Sequence, residues 1–169
     1  MTEDRTEHRT GQDSPRARLA ALGWALPPPM KLGSLPFRTV RVDGDRALVA
    51  GHLPLDDSGA VAGPFGKVGG DLTPEQGYEA ARRVALAMMA SLEDALGSLD
   101  RVACWLKLFG MVNVAPGFTA IPGVINGASE AILEVFGPDR GAHARSAVGM
   151  AELPLGVPVE IEAAVRILT

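Results

Sequence analysis

Residues 143–165 read HARSAVGMAELPLGVPVEIEAAV. From Val159 onward the chain alternates, with Val159, Ile161 and Ala163 on one side and Glu160 and Glu162 on the other. A period of two marks a strand with one apolar face. The preceding segment, ARSAVGMAEL, is a second strand, and Pro154-Leu155-Gly156 supplies the turn between them. Two features depart from a plain solvated sheet face. The polar side of the last strand carries two acids in succession, and Arg145 sits on the apolar segment before it. A charge in that setting needs a partner, because leaving it unpaired is costly.

Upstream, VINGASEAILEVFG reads as a helix stopped by Gly137-Pro138, and residues 113–123 form a loop. Residues 101–112 form a long apolar strand with Lys107 in its middle. The clearest helix begins after Thr73, a good N-cap followed by Pro74 and by Gln76 at the capping-box position. Its apolar residues Tyr78, Ala81, Ala85, Met88, Leu92 and Ala95 recur at helical spacing, and Gly97 ends it. Before it, residues 53–72 make a loop rich in Pro, Gly and Asp, a rim over a cleft with Lys67 as an anion contact. FRTVRV, the turn dipeptide Asp43-Gly44 and RALVAG read as a β-hairpin. PRARLAALGW is a short helix, and the three consecutive prolines after it make a stiff connector. Residues 1–14 are polar without periodicity, a disordered tail in which His8 is too isolated to be a ligand. The domain plan is therefore a tail over 1–14, a helix and Pro-rich connector over 15–36, and a single domain over 37–169.

The order β-β-α-β-α-β-β predicts an α+β fold, a mixed sheet with both crossover helices on one face. Apolar residues lie on both faces of the long strand: Val102, Cys104, Leu106 and Leu108 alternate with Ala103, Trp105 and Phe109. A sheet apolar on both sides but covered on one needs a partner, so a homo-oligomer is expected.

Composition narrows the function classes. A net charge of −4 with scattered Lys and Arg gives no basic stripe for nucleic acid. Cys104 is the single cysteine, read as a buried small hydrophobe in a reducing compartment. No apolar run is long enough to span a membrane, and the first residues lack the apolar core of a signal peptide. A cytoplasmic location is expected.

These residues resemble the Rid superfamily of YjgF-type proteins, often labelled endoribonuclease L-PSP. The resemblance runs from about Phe37 to Ile167. It is most specific at ARS (144–146), LP (153–154) and EIEA (160–163), with Glu160 fifteen residues after Arg145. VAGHLP near 49–54 looks like the family's strand ending SGQ-P, and Asn126 aligns with an asparagine at the start of the second helix. The stretches GKVGGDLTPEQGYEAARR and VINGASEAILEVFG look like a longer-chain, RidA-like branch. The resemblance implies a chorismate mutase-like fold, homotrimers with clefts between subunits, and no metal or organic cofactor. It also implies hydrolytic deamination of reactive 2-imino or 2-enamino acids to 2-keto acids and ammonia. The alternative is a non-catalytic binding protein for small carboxylates such as keto acids.

On that resemblance Arg145 and Glu160 are the candidate catalytic pair. A guanidinium fork holds a carboxylate through two parallel hydrogen bonds, although a structural ion pair of Arg145 with Glu160 or Glu162 is compatible with the same pattern. Glu160 would activate the attacking water, a role suited to a carboxylate in a partly dry cleft, or would pair with an arginine. Glu162 reads as support. Phe37 stands where the best-known branch has a tyrosine, and Ala147 where it has a cysteine, leaving only a backbone carbonyl. His52 replaces a glutamine, as a donor or as a structural residue. Asn126 either hydrogen-bonds across the subunit boundary or caps its helix, and His143 lies in the loop before Arg145.

Overall fold

The computed structural model describes residues 13–169. The expected tail, His8 included, lies outside the described residues except for its last two positions. Those two serve a helix end: Ser14 Oγ accepts from the Ala17 amide at 3.1 Å, and Asp13 pairs with Arg18 at 2.7 Å. Helix α1 spans Pro15–Ala21, and strands β1 (Val40–Asp43) and β2 (Arg46–His52) form the hairpin. Helix α2 (Pro74–Leu96) has the full Thr73/Gln76 capping box and a left-handed Gly97 at its end. Strand β3 (Val102–Asn113), helix α3 (Ile121–Gly141), and strands β4 (Ala144–Met150) and β5 (Val159–Ile167) complete the chain.

The sheet order is β1-β2-β5-β3-β4, with β3 and β4 parallel and every other pair antiparallel. The fold is thus the expected α+β arrangement, with β4 as an edge strand and β5 inserted between β2 and β3. Leu108 and Val112 of β3 and Val159, Ile161 and Val165 of β5 are fully buried with residues of α2 and α3. On that side Trp105 meets Phe136 of α3 edge-on, with ring centroids 5.6 Å apart. The two helices approach closely at Gly127, where a Cβ would lie 2.0 Å from the Tyr78 carbonyl oxygen. Tyr78 also donates to Glu130 at 2.6 Å, and that carboxylate pushes the phenol pKa up to about 12.

No helix among the described residues lies over the other face of the sheet. That face carries Leu48, Lys107, Phe109, Met111, Glu160, Glu162 and Ala164, and Leu48 is 51% exposed. Cys104, expected in the core, is partly exposed and stands opposite the exposed Arg166. Both ends of α3 differ from the sequence reading. Helix α3 begins three residues early, at Ile121, because Pro122 is tolerated in a first turn. It breaks at Gly137 (φ 74°, ψ 170°), after which Pro138 opens one more turn. The N-terminal helix lies on the helical layer, where Leu19 is buried, Arg16 pairs with Glu93 of α2, and Arg82 of α2 stacks over Trp24 at 5.0 Å.

Candidate active site

Arg145 lies on the edge strand β4, opposite Leu108 of β3. Leu108 faces the helices, so Arg145 emerges on the helical side of the sheet. Its Nη1 donates to Asn126 Oδ1 at 2.9 Å and to Ser129 Oγ at 3.0 Å, and its Nη2 donates to the Pro122 carbonyl at 3.3 Å. Pro122, Asn126 and Ser129 follow one another by four and three residues, which places them on one stripe of α3. Asn126 therefore receives Arg145 from inside the helix. It is not a cap, since the N-cap position is Ala120. Behind Ser129 stands His143, whose Nε2 is 3.0 Å from Ser129 Oγ and whose Nδ1 is 2.7 Å from the Gly141 carbonyl.

Glu160 sits on β5 opposite Met111, on the open face. Burial, and then the neighbouring Glu162 charge, push its carboxyl above the usual carboxylate range. It leans over β2 at Gly51, where a Cβ would fall 2.1 Å from Glu160 Oε1. The β2–β5 register shifts between Val49 and His52, so Ala50 and Gly51 form an irregularity beneath the carboxylate. Glu162 is exposed opposite Phe109. With Arg38, Arg41, Lys107 and Phe109 it lines a cavity of about 340 Å³ on the open face.

Arg145 and Glu160 thus occupy opposite faces of one sheet. The structural alternative, an ion pair of Arg145 with Glu160 or Glu162, does not form among the described residues, where the α3 stripe takes the guanidinium. The chain therefore presents two separate candidate groups, an acceptor-lined arginine at the β4 edge and a half-buried acid on the open face.

The remaining candidates divide between these two groups and the core. His52 is fully buried, with Nδ1 2.6 Å from the Ala50 carbonyl and Nε2 2.8 Å from Ser91 Oγ of α2. Burial lowers its pKa, and both ring nitrogens are engaged, so its place is packing between β2 and α2. Ala147 lies opposite Gly110 on the helical side and packs against the core, two residues along β4 from Arg145. Phe37 is 48% exposed in the segment before β1, beside Met30 and Leu35. Lys67 is tied to the end of β3 and to the β4–β5 connection, reaching Asn113 Oδ1 at 2.7 Å, the Ala151 carbonyl and Glu152 at 3.2 Å. It fastens the long loop to the body and is not a free anion contact.

Two positions that touch the candidate residues escape the sequence reading. Ser129 was legible only as a helical residue, three after Asn126 and hence on its face. Gly51 was visible as a glycine in a strand interior, which marks a bulge or a close approach.

Three comparisons place this arrangement among known proteins. A curated relative, Protein TCP17 of Trypanosoma cruzi, is 46% identical over 119 residues, covering 70% of this chain and 73% of its own. The crystal structure of Atu1372, a protein of unknown function from Agrobacterium tumefaciens, superposes with a TM-score of 0.83 at 37% identity. It covers 91% of this chain and 92% of that one. The YjgF gene product of E. coli shares the fold at 22% identity and a TM-score of 0.57, over 84% of this chain and 94% of that one. The family described as "YjgF/chorismate mutase-like, putative endoribonuclease" matches residues 16–159, and the chain belongs to that family.

Proposed function

We propose that the protein hydrolyses small reactive 2-imino or 2-enamino acids to 2-keto acids and ammonia, in clefts completed between subunits of a homotrimer. The observation that carries the reading is the pair of candidate groups on opposite faces of one sheet. A guanidinium with spare donors stands at an edge strand, and a carboxyl with a raised pKa stands on a face that no helix of the described residues covers. A neighbouring copy that covers the open face with its β4 edge joins the arginine of one subunit to the glutamate of the next. The apolar Leu48, Phe109 and Met111 on that face supply area for the contact.

In the joined site Arg145 holds the substrate carboxylate and leaves the imine carbon facing Glu160 across the cleft. The substrate nitrogen enters protonated, as the iminium. The ionised Glu160 takes a proton from water as the water oxygen bonds to the iminium carbon and the C=N π pair moves to nitrogen, giving a neutral carbinolamine. Glu160 returns that proton to nitrogen. Ammonia then leaves with the C–N electron pair as the C=O bond forms, and the hydroxyl proton passes back to the Glu160 carboxylate and on to solvent. Ribonuclease chemistry, which the family's description names, finds less support. The net charge is −4, and His52 and His143 stand apart, each with both ring nitrogens engaged.

The test couples the protein to a lyase that releases iminopyruvate or a longer imino acid and follows absorbance decay. Faster decay than in buffer is expected, together with elution well above the 17.6 kDa monomer mass on gel filtration. Decay no faster than buffer across several side chains, with keto acids still bound, would convert the reading to a carboxylate-binding protein. Monomer-sized elution would remove the cleft altogether.

Gly51→Ala probes the acid's seat. A methyl group 2.1 Å from Glu160 Oε1 cannot coexist with it, so the carboxylate must swing aside. A misplacement of about an ångström costs on the order of a hundredfold in rate. The expected outcome is a fall in kcat/KM of roughly tenfold to a hundredfold with thermal unfolding little changed, measured by the same assay and by circular dichroism.

A further inference from the structure

Arg145 spends its donors unevenly. Nη1 is fully engaged by Asn126 Oδ1 and Ser129 Oγ, and Nη2 is half engaged by the Pro122 carbonyl. The Nε–H and one Nη2–H are left without a partner among the described residues. A carboxylate gripped along the Nε/Nη2 edge of the guanidinium uses hydrogens of these two nitrogens. The α3 stripe therefore does more than neutralise a charge, because it fixes which edge of the guanidinium stays open.

The bonds behind Ser129 have a determined direction. The Gly141 carbonyl can only accept, so the proton of neutral His143 sits on Nδ1 and Nε2 is the acceptor. Ser129 then donates its hydroxyl hydrogen to Nε2, which turns a lone pair of Oγ toward Arg145. The chain runs one way, from Arg145 to Ser129 to His143 to the Gly141 carbonyl, and bonds aligned in series polarise one another. Neither Ser129 nor His143 is needed for the chemical step described above.

We propose that Ser129 and His143 are positioning residues that aim Arg145 at the substrate carboxylate through this directional relay. The inference rests on the reading of Arg145 as the carboxylate anchor. It requires His143 to be neutral. A protonated ring would offer Nε2–H to Ser129 Oγ, so two cations would share one oxygen and the serine hydrogen would lose its acceptor. The electrostatics agree, since burial lowers the His143 pKa, the Gly141 carbonyl partly opposes this, and the Arg145 charge lowers it further. Among the charged groups of α3 and β4, Arg145 is the one whose field acts on the ring. A bound carboxylate offsets that field, so occupancy of the site is expected to raise the His143 pKa.

The test uses the full-length protein and two readouts. In steady-state imine hydrolysis, Ser129→Ala and His143→Ala are expected to raise KM about fivefold to tenfold, the worth of one ordinary net hydrogen bond, with kcat changed less than twofold. In His143→Gln the amide oxygen can accept from Ser129 in place of Nε2, and KM is expected within about twofold of wild type. An unaltered KM in both alanine variants would overturn the proposal, as would a His143→Gln variant no better than His143→Ala. The second readout is the His143 titration followed by NMR, without substrate. Arg145→Gln, or saturation of the wild type with pyruvate, is expected to shift its pKa upward. A His143 pKa indifferent to Arg145→Gln overturns the relay. An intact response to Arg145→Gln in a protein without imine turnover counts against the hydrolase reading alone.

Discussion

Arg145→Ala is expected to lower kcat/KM by about a hundredfold to a thousandfold while leaving a folded protein. A bidentate grip consists of two charge-assisted hydrogen bonds, each worth about 1.5–3 kcal/mol. Near the lower end of that range, since water replaces part of the grip, losing both removes about 3–4 kcal/mol, and every ~1.4 kcal/mol is a factor of ten. The effect on stability is smaller because the partners left behind are only partly buried. Asn126 and Ser129 can turn to water, so no buried polar group is stranded. Arg145→Lys separates charge from geometry. An ammonium keeps the positive charge but cannot span Pro122, Asn126, Ser129 and a carboxylate together, so KM is expected to rise nearly as far. The check is paired measurement of kcat/KM and unfolding temperature. Activity that survives either substitution, or that falls only in step with unfolding, would return Arg145 to a structural role.

The elements of the fold were legible because their signals are local. The Thr73/Gln76 box, the Asp43-Gly44 turn and the alternation from Val159 each speak for themselves within a few residues. Strand order is not local. Arg145 and Glu160 lie on consecutive strands joined by a tight turn, which invites the view that they meet. Yet β5 does not pair with β4; it enters the sheet two places away, beyond β3. Parity completes the separation. Arg145 is level with Leu108 on the buried face, and Glu160 with Met111 on the open one.

Bulges hid the rest. Continuing the alternation of Ala47 and Val49 would turn residue 51 inward and leave His52 facing out, available to a ligand. The register shift after Val49 reverses this, burying His52 against Ser91 and presenting Gly51 beneath Glu160. A second shift, between Trp105 and Lys107, does the same on β3. It keeps Trp105 and Leu108 inside and sends Lys107 out to Ser146 at 2.8 Å. One inserted residue exchanges the faces of everything after it, and a sequence carries no reliable mark of where that occurs.

Glu160→Gln is expected to lower kcat by about a hundredfold to ten-thousandfold, the range lost when a positioned general base is removed. Its stability should not fall with it. A carboxyl whose pKa is raised by folding stabilises the native state below its ordinary pKa, and that contribution is lost as pH rises through the raised value. The amide introduced by Glu160→Gln cannot ionise. At neutral pH the variant therefore escapes the cost of holding a charge in a half-dry site beside Glu162, and its unfolding temperature should equal or exceed wild type. In the wild type the same titration is expected to set the acid limb of the rate profile: if Glu160 is the base, activity should be lost as pH falls through the raised carboxyl pKa, because the base must be ionised. The two substitutions together test how the site is assembled. If Arg145 and Glu160 act from different subunits, refolding a mixture of Arg145→Ala and Glu160→Gln chains creates some interfaces that carry both native side chains. Random assembly in equal proportions puts roughly a quarter of the interfaces in that state, so activity should recover toward about a quarter of wild type. If both residues served one subunit's own site, every mixed trimer would stay as inactive as its parents.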